Sequence, residues 1–165
     1  MKKTIFITGA AKRIGKEIAL CFSEMGWNII IHYNSSKNDA QVLADEINGN
    51  NPDSAITVKG NLDVKEDVEK VINEVRDAFP TIDLLINNAS TFYPTPIEDI
   101  SEEHWDKLVG SNLKGPLFLI KGLKDKLKES KGSIINITDT NLSKGVANYS
   151  IYSAAKAGLE SITKG

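Results

Sequence analysis

Short isoleucine-rich runs alternate along the chain with longer amphipathic ones, and this alternation constrains the fold more than any other feature. Thr4 to Thr8 is β-branched and apolar and ends on Gly9. From Ile14 the apolar residues Ile14, Ile18, Cys21, Phe22 and Met25 recur at helical spacing, and Gly26 supplies a stop. Asn28 to His32 reads as a second strand. Ser36 can cap a helix whose inner face is Ala40, Leu43, Ala44 and Ile47. Ala55 to Lys59 is a third strand. Asp63, with Glu66 three positions later, has the pattern of a capping box, and Val64, Val68, Val71, Ile72, Val75 and Phe79 form an apolar stripe behind it. Ile82 to Ile86 is a fourth strand and Ser133 to Ile137 a fifth, with a long helix from about Ser101 to Lys128 between them. A last helical pattern runs from about Ser150 to Lys164.

Strands that alternate with helices imply right-handed crossovers and a parallel sheet covered on both faces. Continuous isoleucine strands fit burial from both sides. The expectation is one doubly wound α/β domain over residues 1–165, with its ligand beyond the carboxyl ends of the strands. A formal net charge of -2 provides no broad basic field for nucleic acid or an anionic membrane. The N-terminal apolar run is too short for a signal-peptide core and no stretch could span a bilayer, so the cytoplasm is the default location. The single cysteine, Cys21, lies between Leu20 and Phe22 in a helical pattern, and the expectation is a small buried hydrophobe, not a reactive thiol.

Function must then come from the strand ends. The first reads Thr8-Gly9-Ala10-Ala11-Lys12-Arg13-Ile14-Gly15. Small residues let the backbone approach a pyrophosphate, and the following helix N-terminus offers free N–H groups and a positive dipole end. The other reading is a tight turn that binds nothing. Lys12 and Arg13 oppose the helix dipole, a conflict that a bound anion would remove. The second strand ends in His32-Tyr33-Asn34-Ser35-Ser36-Lys37, with no carboxylate to accept from a ribose hydroxyl or repel a 2′-phosphate, which favours the phosphorylated nicotinamide cofactor. A lone His32 or His104 is otherwise structural, and neither has the companions of a metal site, so no metal is expected. The fourth strand ends in Asn87-Asn88-Ala89-Ser90. Phe92 and Tyr93 follow in a proline-rich loop, where they either edge a ligand or pack under the loop.

Gly110, Gly115 and Pro116 interrupt the long helical pattern. Pro116 cannot donate to the carbonyl of Asn112, so a kink is expected there, with that carbonyl free to accept from water or a side chain. Tyr152 and Lys156, at i and i+4, share a helix face, and a nearby ammonium would lower the phenol pKa toward acid/base use. Asp139, thirteen positions before Tyr152, can fold over the same site, or simply cap or turn the chain.

Together these residues resemble the short-chain dehydrogenase/reductase family: a Thr8-Gly9 loop closing on Gly15, Asn87-Asn88-Ala89, the helix residue Asn112, then Tyr152-x-x-x-Lys156. The stretches Thr8 to Arg13, His32-Tyr33, Asn87 to Pro96 and Tyr149 to Tyr152 look like pteridine reductases within it. So does Asp139, where most of the family has serine. The resemblance implies a Rossmann-type sheet of order 3-2-1-4-5 and NADP(H) as cofactor. It implies cofactor contacts from Gly9, Lys12, Arg13, Ile14, Gly15, His32, Tyr33, Asn34, Ser35, Ser36, Asn61, Leu62, Asn88, Ala89, Ser90, Tyr152 and Lys156. It assigns catalysis to Asp139, Tyr152, Lys156 and Asn112, and the substrate contacts to Phe92, Ser90, Asp139 and Tyr152, with Phe92 stacking on a pterin.

Three departures stand out. Pteridine reductases carry arginine where this chain has Ser35, and Asn61 replaces the adenine-contacting aspartate but keeps one acceptor. The family also continues past position 165 with a strand, a substrate-covering loop, a helix and a strand. The expectation is therefore a cofactor half-site with an incomplete substrate pocket and weak turnover as an isolated chain, in a protein whose relatives commonly form homotetramers. The expected reaction is reduction of a pteridine or dihydropteridine C=N bond. The alternatives are general carbonyl (3-oxoacyl or keto) reduction, or a catalytically silent nucleotide-binding module. The absent carboxylate after the second strand should make NADPH bind at least tenfold tighter than NADH, a gap of ~1.4 kcal/mol. Titrating both cofactors against one preparation checks this, and equal affinities would contradict it.

Overall fold

The computed structural model describes residues 2–142 and 144–165. Five parallel strands, β1 (Thr4–Ile7), β2 (Asn28–Tyr33), β3 (Ala55–Lys59), β4 (Leu84–Asn87) and β5 (Ser133–Asn136), form one sheet in the order β3-β2-β1-β4-β5. Six α-helices accompany them: α1 (Arg13–Glu24), α2 (Lys37–Asn50), α3 (Lys65–Ala78), α4 (Glu102–Val109), α5 (Gly115–Glu129) and α6 (Ser150–Lys164). This is the expected Rossmann-type architecture.

Side chains that alternate along a strand separate the core into two layers. Ile5, Ile7, Ile29 and Ile31 face α1 and α2, where they meet Ala19, Ala40, Leu43, Ala44 and Ile47. Phe6 and Ile30 face α3 and α5, against Val68, Val71, Val75, Leu119, Leu123 and Leu127. All six strand residues are fully buried, and each such side chain contributes roughly 2 kcal/mol relative to exposure. After β3 the chain returns to the other side of β1, so the strand order reverses between β1 and β4. The carboxyl ends there diverge into the crevice that such sheets use for ligands. At the far edge β5 is poorly covered, and Ile134 and Ile135, which point to opposite faces, are both exposed. Among the described residues no helix is long and apolar enough to cross a membrane.

Four local expectations need correction. The fully buried face of α1 is Gly15, Ala19 and Ser23, with Ile18 and Phe22 of the expected stripe packed only partly buried against the core. Small side chains fill the innermost face of this helix, where it lies close to the strand ends, while Ile14, Met25 and Cys21 are exposed, and Cys21 is no core residue. Asp63 does not cap α3. The N-cap position is Val64, and the carboxylate that ties the preceding loop is Asp67, which accepts from the Asn61 N–H at 2.7 Å. Ser36 does hold the N-cap of α2, but its side chain makes no capping hydrogen bond. Finally, the helix from Ser101 is not one α-helix with a proline kink. A π-helical turn, Gly110–Lys114, joins α4 to α5, and Pro116 falls in the first turn of α5. A five-residue register, Gly115 N–H to Gly110 carbonyl, carries the chain past the proline, which has no N–H to give. The two glycines of the turn pack against the β3–α3 loop: a Cβ on Gly110 would lie 2.9 Å from Asp63 Cα, and one on Gly115 would lie 2.9 Å from the Leu62 carbonyl oxygen.

His32 links two strand ends. Its Nδ1 accepts from the Gly9 N–H at 3.1 Å, so its Nε2 carries the proton and donates to the Gly60 carbonyl at 3.0 Å. Burial lowers its pKa to about 4. The unfolded chain takes up this proton near 6.5 and the folded chain only near 4, so His32 favours the fold above 6.5. That contribution, roughly 3 kcal/mol in full, is lost as pH falls through this window. Chemical denaturation of wild type and His32→Gln across this range should give a distinctly flatter dependence for the variant. Parallel curves would contradict the assignment.

Candidate functional site

The turn after β1 is held by a ring of hydrogen bonds. Thr8 Oγ1 accepts from the backbone N–H groups of Asn88 and Ala89, each at 2.9 Å. Asn88 Nδ2 donates back to the carbonyls of Thr8 and Gly9, at 2.9 and 3.2 Å. The approach is too close for side chains: a Cβ on Gly9 would lie 3.0 Å from Ala89 Cα, and one on Gly15 would lie 2.5 Å from the Gly9 carbonyl oxygen. Gly9 also has φ +62, the left-handed region where glycine carries no steric cost.

This turn forms the floor of a cleft of about 590 Å³. Its walls are Gly9, Lys12, Arg13, Ile14 and Gly15 from β1–α1; His32, Tyr33, Asn34, Ser35 and Ser36 from β2–α2; Asn61 and Leu62 after β3; and Asn88, Ala89 and Ser90 after β4. Every loop residue chosen from the sequence as a cofactor contact therefore lines one cavity. Ala11, Asp63, Thr91 and Ser111 line it as well. Several of these residues already have protein partners. Both ring nitrogens of His32 bind backbone, so its role is to hold the floor. Asn61 Oδ1 accepts from the Asp63 N–H at 3.1 Å, which leaves one lone pair for a ligand. Lys12 Nζ lies 3.0 Å from Asp39, so its charge is not free as the sequence suggested. Arg13 opens α1 with φ +55, a conformation that costs a non-glycine residue on the order of 1 kcal/mol, and makes no ion pair among the described residues.

Tyr152, Lys156, Asp139 and Phe92 lie outside that lining and form a second group beside it. Tyr152 donates to Asp139 Oδ2 at 2.9 Å, and the other Asp139 oxygen accepts from the Asn141 N–H at 2.7 Å. Lys156 Nζ donates to the Ile137 carbonyl at 2.7 Å. Both helix residues are buried. Ser90 joins the two groups: it lines the cleft and donates to Asn112 Oδ1 at 2.8 Å. Asn112 is wholly buried, and its amide nitrogen donates to the carbonyls of Thr91 and Leu108, each at 2.9 Å.

The electrostatics reverse one expectation. Lys156 does not draw the phenol pKa down. Burial, then the hydrogen bond to Asp139 and the charge of that carboxylate, push Tyr152 up to about 12, with Ser90 acting weakly the other way. Burial brings Lys156 down to about 8, against the pull of Asp139. Asp139 itself is held below the usual carboxylate range by the Asn141 backbone N–H and then by Tyr152. At neutral pH the arrangement presents a neutral phenol hydrogen-bonded to a carboxylate, and not a phenolate base.

Above this pair sits an aromatic cluster. Phe92 is 57% exposed, stacks on Tyr149 at 4.5 Å and 15°, and meets Tyr152 edge-on at 4.8 Å. It does not pack under its loop. The sequence reading missed Thr8 and Tyr149 as site-forming residues. The position of Tyr149, three residues before Tyr152 and so on nearly the same helix face, was the available signal. Among the described residues no group of His, Cys, Asp and Glu side chains is arranged to hold a metal.

Comparison with known proteins gives a consistent picture. Residues 3–165 match the family described as short chain dehydrogenase. A 3-oxoacyl-[acyl-carrier-protein] reductase FabG of Staphylococcus epidermidis is 32% identical over 165 residues, 99% of this chain and 67% of the relative. Its Staphylococcus aureus counterpart is 33% identical over the same shares. Pteridine reductase 1 of Leishmania tarentolae is 32% identical over 198 residues, 96% of this chain and 68% of the relative.

Proposed function

The chain belongs to the short-chain dehydrogenase/reductase family, and from that premise we propose that it serves NADPH-dependent reduction of a pteridine or dihydropteridine C=N bond. The observation that carries this reading is the Tyr152–Asp139 hydrogen bond beneath an exposed, pre-stacked Phe92. Either reduction consumes one hydride and one proton, and a serine at position 139 could only hydrogen-bond the oxygen of a carbonyl substrate. An imine nitrogen needs a proton delivered by an acid. Asp139 accepts the Tyr152 hydrogen bond and would relay a proton between Tyr152 and a ring nitrogen, and the open face of Phe92 suits a flat heterocycle.

The cleft fits a dinucleotide. Its floor is glycine where a pyrophosphate must come close, its volume is that of a small-molecule site, and the start of α1 provides unpaired N–H groups. Arg13 and Ser36 would hold the 2′-phosphate, Asn61 and Leu62 the adenine, and Asn88, Ala89, Ser90, Tyr152 and Lys156 the nicotinamide half. The cofactor, when bound, would supply a hydride. Tyr152 would turn its hydroxyl from Asp139 to give its proton to the substrate nitrogen, and the Lys156 ammonium would hold the nicotinamide ribose and offset the phenolate left behind. The Asn112 carbonyl, in the π-helical turn, would anchor a water that leads protons back toward Lys156. Assembly of several copies belongs to the same reading, supported by the exposed Trp105, Leu117 and Phe118 on α4 and α5.

A second reading, reduction of a carbonyl such as a 3-oxoacyl group, is favoured by the staphylococcal relatives at equal identity. Asp139 separates the two. In an active form of the protein, Asp139→Ser should depress pteridine reduction more than reduction of a simple dicarbonyl. Phe92→Ala should raise the pterin KM several-fold, because stacking contributes on the order of 1 kcal/mol. Wild-type pteridine kinetics in both variants would favour the carbonyl reading.

A further inference from the structure

We propose that Asp39 sets how tightly the cleft grips a 2′-phosphate, by competing with that phosphate for Lys12. The inference rests on the reading of the cleft as a dinucleotide site. Lys12 is the N-cap residue of α1 and lines the cleft, and its Nζ lies 3.0 Å from Asp39 Oδ2. Asp39 stands in the first turn of α2, three residues after Ser36, which with Ser35 lines the opposite wall. The ion pair thus bridges the N-termini of two helices at the rim of one cavity.

Each partner has a reason to be charged there. The positive end of α2 stabilises the carboxylate, and the carboxylate relieves the clash between Lys12 and the positive end of α1. An incoming phosphate can take Lys12 only by breaking this pair, so one ion pair replaces another and Lys12 adds little net affinity. Arg13, with no such partner, is left as the working cation of the loop. Both members of the pair are about half exposed, at 55% and 46%, so the side chains are free to exchange partners. Asp39 is thereby a specificity-determining residue that no cofactor contact of its own would reveal.

The test is direct titration of this chain with NADPH and NADH, read by cofactor fluorescence, for wild type, Asp39→Asn, Lys12→Gln and the double variant, with circular dichroism to confirm folding. Asp39→Asn should lower the NADPH Kd by about three- to tenfold, change the NADH Kd less than about twofold, and lose most of its effect at high salt. In the Lys12→Gln background the same change should have almost no effect. No gain with NADPH, an equal gain with NADH, or an equal gain without Lys12 would each overturn the proposal. Equal wild-type affinities for the two cofactors, with the gain still confined to NADPH and Lys12, would refute the expected cofactor preference but support the competition. A wild-type chain that binds neither cofactor would overturn the reading of the cleft and this inference with it.

Discussion

The hydrogen bonds that join the ends of β1, β2, β3 and β4 carry the rest of the structure. A parallel sheet positions strand ends side by side but leaves the turns beyond them without partners. Here Thr8, Asn88, Gly9, His32 and Gly60 satisfy one another across all four strands. The first turn is thereby fixed against the loop after β4, and the glycines let the two backbones close to within contact. The cleft keeps its shape because its floor is a hydrogen-bonded ring and not a flexible loop. His32, buried and neutral, serves this ring best because its two nitrogens can donate on one side and accept on the other.

The second group depends on the first through Ser90 and Asn112. Asn112 sits in a π-helical turn that pairs wide backbone geometry with complete burial, and its side chain gathers the loop after β4, α4 and Ser90 into one unit. The loop that presents Phe92 is therefore anchored at the residue that also faces the cleft. From β5 the chain brings Asp139 over Tyr152, and the resulting hydrogen bond decides the chemistry. A carboxylate beside a phenol makes loss of the phenolic proton harder, so Tyr152 rests as the neutral phenol with its O–H donated to Asp139.

Much of this was legible in the sequence. Strands buried on both faces require isoleucine-rich runs, and helices that cover them require stripes such as Ala40, Leu43, Ala44 and Ile47, so element order and sheet class followed from periodicity. The cleft loops after β1, β2 and β4 followed because ligands in such sheets meet the strand ends, whereas Asn61 and Leu62 followed from the family resemblance. The misses have physical causes. Periodicity counts large apolar residues, whereas α1 buries its small face, so Cys21 was placed inside when it lies outside. The pair Asp63 and Glu66 mimics a capping box, yet the loop's hydrogen bonds go to Asp67. A proline in a helical pattern signals a break, and no linear signal distinguishes a kink from a π-helical turn. The spacing of Tyr152 and Lys156 suggested a lowered phenol pKa, but the direction is set by burial and Asp139, which approach from elsewhere in the fold.

The claim that Asp139 holds Tyr152 as a neutral phenol is open to direct measurement. Carbon-13 labelling of the tyrosine ring carbons, with the Tyr152 resonance assigned by its loss in Tyr152→Phe, allows that phenol to be titrated alone. The account predicts ionisation near 12 in the wild-type chain and a fall toward the ordinary value of 10 in Asp139→Asn. Ionisation of wild-type Tyr152 at or below 10, or a value that does not move when Asp139 is neutralised, would contradict it.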